Sequence, residues 1–197
     1  ALGRFALPPI HRHFMGLGGS WDRFNQAVCL SVPEGCGPEA VQEFLSRLFA
    51  HHDALRMFIA DGCCVVPSSS EVTLPAPMVL SGDRETALGQ LSAALSPDEA
   101  GGLLRYGWHQ DQLLLVVHHV AVDGVSWRIV LDHLNALLRG DALPAVGLSL
   151  RGWALYVSSL VESGAWRAWI GRWRMQFEGC CGLFVRDASV ENCVGRA

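Results

Sequence analysis

At 197 residues, half of them apolar and 17% charged, the chain is long enough to bury a substantial core and is not composed like a disordered or linker polypeptide. Its 15 basic residues are all arginine, which excludes lysine nucleophiles and Schiff bases. The net charge of -4, with no basic cluster, argues against nucleic acid as a partner. Seven cysteines in an odd count, two adjacent pairs among them and no C-x-x-C spacing, indicate neither a disulfide framework nor a zinc ribbon. No signal peptide opens the sequence and no apolar run is long enough for a membrane span, so a cytoplasmic, membrane-free protein is expected.

Leu7 to Met15 predicts a short helix entered through Pro8-Pro9, followed by a glycine-rich turn. Phe24 to Val32 alternates as a strand with one buried side, placing Phe24, Gln26, Val28, Leu30 and Val32 on a common face. Pro38 opens a helix whose Val41, Phe44, Leu45, Leu48 and Phe49 form an apolar stripe. A strand is expected from Leu55 to Ile59, then a hairpin turn at Asp61-Gly62 into a second strand over Cys63 to Val66. A helix over Arg84 to Leu95 precedes two strands, Leu103 to Trp108 and Gln112 to Val117. The second is apolar on both faces, as a central strand would be.

After Gly124 the period is helical, with Trp127, Leu131, Leu134 and Leu138 on one stripe and an end at Gly140. Ser149 is placed to cap a further helix, and Trp166, Trp169, Ile170 and Trp173 continue a helical period. At this spacing the seven tryptophans read as core residues. The order is that of a single α/β layer system, and from about Gln176 the pattern dissolves.

The segment that carries chemistry is His118-His119-Val120-Ala121-Val122-Asp123-Gly124, between the central strand and the following helix. Imidazole is the side chain best suited to move protons near neutral pH. Adjacent residues at a strand end point in opposite directions, so the two histidines have different roles, one toward the interior and one toward a cleft. Gly124 permits close approach of a ligand, and the helix behind it offers unpaired N–H groups. The pattern alone leaves a catalytic histidine and a buried structural one both open. Metal binding by His119 and Asp123 needs a helix through both, whereas the residues between them read as extended and no third ligand is apparent, so no metal is expected. His51-His52 sits at a helix C-terminus, where a cation is favourable, and His11, His13, His109 and His133 read as isolated surface or boundary residues.

The H-H-x-x-x-D-G segment resembles the signature of the condensation-domain superfamily of nonribosomal peptide synthetases, which is related to chloramphenicol acetyltransferase. Leu7-Pro8-Pro9-Ile10-His11 resembles that family's opening motif, with His11 where glutamine is usual. His51-His52-Asp53-Ala54-Leu55-Arg56 is similar to its H-x-x-L-R motif. Phe24-Asn25-Gln26 and Val125-Ser126-Trp127-Arg128 look more like epimerization domains than peptide-bond-forming ones. The resemblance implies a chloramphenicol acetyltransferase-like sandwich lobe with a mixed sheet and flanking helices. Residues 1–175 would be an N-terminal lobe and 176–197 a tail unlike the family; a second lobe, bearing an opposing glutamate, has no counterpart here.

By the same resemblance His119 is the acid/base that converts an L-aminoacyl or peptidyl thioester to the D form, and His118 is structural. Asp123 forms a buried ion pair with Arg56, Gly124 lies against the thioester, and Ser126 and Trp127 line the substrate tunnel. No cofactor is bound directly; the substrate rides on the phosphopantetheine of a peptidyl carrier protein, and adjacent synthetase domains are the other partners. A condensation or acyltransferase lobe and an inactive remnant stand as alternatives. The strand after the second motif is one residue shorter than the family pattern, which predicts inverted faces or a bulge.

Overall fold

The computed structural model describes residues 2–16, 18, 21 and 23–177 and divides the chain into two compact units, Ala1–Tyr156 and Val157–Ala197. The expected tail lies almost wholly outside the described residues. In the first unit a mixed four-stranded sheet runs in the order β2 (Asn25–Ser31), β7 (Gln112–His118), β6 (Leu104–His109), β5 (Met78–Val79), with β5 parallel to β6 and the other pairs antiparallel. A smaller antiparallel sheet has the order β1 (Gly3–Ala6), β4 (Cys63–Val66), β3 (Phe58–Ala60). This is the mixed α/β sheet with flanking helices that the resemblance implies.

The apolar run of β7 is explained by its two covered faces. Leu113, Leu115 and Val117 meet Val41, Leu45, Leu48 and Phe49 of α2 (Pro38–His51) and Trp127, Val130 and Leu134 of α5 (Gly124–Leu138). Leu114 and Val116 point the other way, onto Ala87 and Leu91 of α4 (Arg84–Ala93). Each buried leucine or valine stabilises the fold by about 1.5–3 kcal/mol relative to exposure, so this strand is the anchor on which the motif at its end depends. The buried stripe of α5 uses Val130 and Leu137 where Leu131 and Leu138 were expected, a small rotation of the helix about its axis.

α1 (Pro9–Gly16) begins after the expected proline entry. The strand expected from Leu55 starts instead at Phe58, because Asp53–Arg56 forms a helical turn, α3. The following turn has Asp61 and Gly62 at φ 49° and 69°, the two left-handed residues of a tight hairpin. No bulge interrupts β3: Phe58, Ile59 and Ala60 pair one-to-one with Val65, Cys64 and Cys63, and Ile59 and Cys64 face the core together. The expected bulge is therefore overturned. Two short strands, β1 and β5, carry no sequence signal strong enough to announce them.

α6 (Leu150–Glu162) is capped by the Ser149 hydroxyl, which accepts from the Gly152 N–H at 3.0 Å. The second unit holds α7 (Arg167–Phe177). Trp153, Trp166, Trp169 and Trp173 are exposed, against the expectation of core residues; their helical spacing marks one face of a helix without saying what covers it. Among the described residues no helix is long and apolar enough to cross a membrane.

Candidate active site

His118 ends β7 opposite Asn25, and the ladder continues one step further through the His119 N–H, which donates to the Phe24 carbonyl at 2.8 Å. The two side chains diverge as strand geometry requires. His118 is fully buried: its Nε2 lies 2.8 Å from the Trp21 carbonyl, and its Nδ1 accepts from the Val120 N–H at 3.2 Å. A carbonyl can only accept, so His118 is the neutral Nε2–H tautomer, with both ring nitrogens engaged.

His119 is half-buried on the wall of a cavity of about 520 Å³. Its ring stacks on Phe24, with centroids 4.6 Å apart and planes 11° from parallel, and Phe14 stacks on Phe24 from beyond. Gln26, two residues along the same face of β2 as Phe24, places its amide nitrogen 3.0 Å from His119 Nε2. The Gln26 oxygen accepts from the Trp127 indole N–H at 2.9 Å. Indole is a donor only, so it fixes which end of the amide is oxygen; the amide N–H therefore donates to His119, whose proton resides on Nδ1. Trp127, Gln26 and His119 form a directed relay that sets one tautomer.

Trp127 was expected to line the tunnel. It is buried instead, pointing into the core as the anchor of this relay, because it falls on the inward stripe of α5. Ser126 does reach the cavity wall, its hydroxyl donating to Asp123 Oδ1 at 2.7 Å.

The expected buried ion pair of Asp123 with Arg56 is absent. Asp123 is exposed and caps α5: Oδ1 accepts from the Ser126 N–H at 2.7 Å and the Val125 N–H at 3.1 Å. These bonds, those from Ser126 first, hold its carboxyl below the usual carboxylate range. Arg56 is buried and bonds locally, to Asp53 Oδ1 at 2.7 Å and to the carbonyls of Phe49 and Ala50. The turn of α3 folds Asp53 back onto Arg56, so both terminal guanidinium nitrogens are engaged locally and away from Asp123, while Nε is buried without a hydrogen-bond partner. Gly124 opens α5 in an unobstructed position, where a Cβ would meet nothing within 4 Å.

His11 also lines the cavity, and its isolation in sequence was misleading. Burial first, then the neighbouring His118 and His119, push its pKa below the ordinary value, and its Nδ1 is buried without a hydrogen-bond partner. Its place in the opening motif is the sequence signal that ties it to the site. Gln26 had only an alternation signal, which gives its face and not its partner. His119 and Asp123 do not form a metal cluster; each is held by the separate bonds described above.

Residues 15–181 match the model of the condensation-domain family. The chain is 34% identical to surfactin synthase subunit 1 of Bacillus subtilis over 151 residues, which is 68% of the chain and 4% of that protein. It is 29% identical to tyrocidine synthase 1 of Brevibacillus parabrevis over 180 residues, 79% of the chain and 16% of that protein. Among solved structures, the epimerization domain from the third module of tyrocidine synthetase B superposes with a TM-score of 0.77 at 23% identity, over 94% of the chain and 47% of that structure. The chain thus spans a small part of the synthetases it matches and about half of that domain. Motif, fold and family match agree: the chain belongs to the condensation-domain family of nonribosomal peptide synthetases.

Proposed function

We propose that the chain is the N-terminal lobe of an epimerization domain, which inverts the α-carbon of an aminoacyl or peptidyl thioester carried on phosphopantetheine. The observation that carries this reading is His119, held on the cavity wall by Phe24 and fixed in one tautomer by Gln26 and Trp127. The proton on Cα passes to the imidazole, leaving an enolate-like thioester, and a proton returns to the opposite face from a group on the complementary lobe. Proton uptake at His119 Nε2 requires the Gln26 amide to release it, so Gln26 is the group that must yield when substrate enters. Gly124, with open space around it, leaves room for the thioester. A peptidyl carrier protein and the neighbouring domains of a cytoplasmic synthetase are the partners this chemistry requires.

The similarity to an epimerization domain supports this reading through the fold, and the residues around Gln26 and Trp127 support it through their resemblance to epimerization motifs. The family model favours condensation equally, with His119 assisting attack of an amine on the thioester. One experiment separates them. In a domain completed with a second lobe, a carrier-bound aminoacyl thioester is incubated in deuterated water, with and without an acceptor aminoacyl carrier. Exchange and inversion at the α-carbon, lost in His119→Ala, support epimerization. Amide formation without exchange supports condensation. Activity of His119→Ala within a few-fold of the parent defeats both. Absence of either reaction in a folded, completed domain makes the lobe an inactive remnant.

A further inference from the structure

His51 ends α2, His52 follows it, and His133 faces them from α5. Together the three offer one ring nitrogen each, all within 4.8 Å of one another. His52 Nε2 and His133 Nδ1 are 2.9 Å apart and their rings are stacked at a 5.0 Å centroid separation. The His51 ring stands edge-on to both, at 5.0 Å from His52 and 5.4 Å from His133. Among the described residues this is the one such cluster, and no residue of the proposed acid/base site belongs to it.

A hydrogen bond between His52 and His133 accounts for two of these nitrogens. It leaves His51, whose Nε2 is buried and without a hydrogen-bond partner, as the third member of the cluster. A single divalent ion would satisfy all three at once. Tetrahedral zinc sits about 2.0–2.1 Å from each imidazole nitrogen, which sets the nitrogens about 3.3 Å apart, a separation that small ring rotations reach from the present geometry. The nearby Arg56 cation is already matched by Asp53, so an ion here does not face an unpaired positive charge.

We propose that His51, His52 and His133 form a binding site for a divalent transition-metal ion of the zinc class, with water completing the coordination. The ion would join the C-terminal end of α2 to α5, the helix capped by Asp123. Both helices pack on the same face of the central strand, so the site would clamp two elements that otherwise meet through apolar contacts.

The test uses the whole chain, stripped of metal and titrated with cobalt(II), then competed with zinc. One cobalt per chain, with the visible bands of a four-coordinate nitrogen and oxygen site, is expected. Binding should weaken at least about 10-fold in His133→Asn and in His52→Asn, and remain unchanged in the control His109→Ala. Circular dichroism checks that each variant folds. X-ray absorption of the zinc-loaded parent, which needs no variant, should show nitrogen and oxygen neighbours with imidazole scattering. A sulfur-to-cobalt charge-transfer band, sulfur in the zinc shell, binding indifferent to His133→Asn, or no stoichiometric binding would each overturn the proposal.

Discussion

Arg56 binds Asp53, three residues before it, at 2.7 Å, while Asp123 spends its carboxylate on the N-terminus of α5. The signature aspartate is therefore a helix cap, and the buried arginine belongs to a separate local network. Double-mutant cycles by urea unfolding distinguish this from a direct pair. Arg56→Ala should cost about 3–5 kcal/mol by stranding buried partners. Asp123→Ala should cost about 1 kcal/mol, the usual loss of a cap. Coupling of Arg56 with Asp53 should fall within about 0.5–3 kcal/mol, and coupling with Asp123 should be indistinguishable from zero.

The relay from Trp127 makes a spectroscopic prediction. Nitrogen-15 shifts of His119 in the neutral form should report a proton on Nδ1. Trp127→Phe keeps an aromatic side chain but removes its only donor, so the Gln26 amide loses its orientation and a mixture of tautomers should appear. The stability cost should exceed about 1 kcal/mol, the net worth of one hydrogen bond, because the smaller ring also leaves a cavity in the core. An unchanged tautomer in Trp127→Phe would show that Gln26 is oriented by something else.

His11 predicts a pH dependence. Burial lowers its pKa from an ordinary value of 6.5, so below that pH the unfolded chain binds a proton that the folded chain refuses. Its contribution therefore makes stability fall as pH drops below about 6.5 and level off once the folded pKa is passed. His11→Gln, which restores the residue usual in the family, should flatten that part of the curve. A slope unchanged between the two proteins would remove His11 as its source.

Two glycines should respond oppositely to alanine. A Cβ at Gly102 would collide with the Ser96 carbonyl, in the loop that feeds Leu103, whose carbonyl accepts from the His118 N–H. Gly102→Ala should cost about 1–3 kcal/mol by overpacking against backbone. Gly124→Ala meets open space and should leave stability within about 0.5 kcal/mol. Thermal or urea melts of both variants check the contrast. If Gly124→Ala nevertheless impairs a completed domain, the loss belongs to the substrate.

What the sequence disclosed follows from the range over which each pattern acts. Alternation in Phe24 to Val32 is local and told which side Gln26 takes; that it would meet His119 depends on the register of β2 against β7, which no local pattern encodes. The two apolar faces of β7 were legible because burial on both sides writes itself into five consecutive residues. The four residues of β1 and two of β5 are too few for any period. The resemblance assigned Arg56 a distant partner, Asp123; the near one, Asp53, is supplied by the α3 turn, the last two residues of which read in sequence as the start of a strand. His133 looked solitary because its companions lie 81 and 82 residues away, across a helix packing that spacing cannot show.

The path Trp127–Gln26–His119 also bears on recombining these enzymes. Its members come from two distant stretches, one in β2 and one spanning the signature and the first turn of α5. A chimera that imports residues 118–127 from a relative would carry the histidine and the indole together but leave position 26 behind. Where the donor holds its histidine by another residue, the graft would keep every letter of the signature and lose the setting of its proton. Crossover points for domain engineering in this family therefore belong outside β2, so that strand and signature travel as one piece.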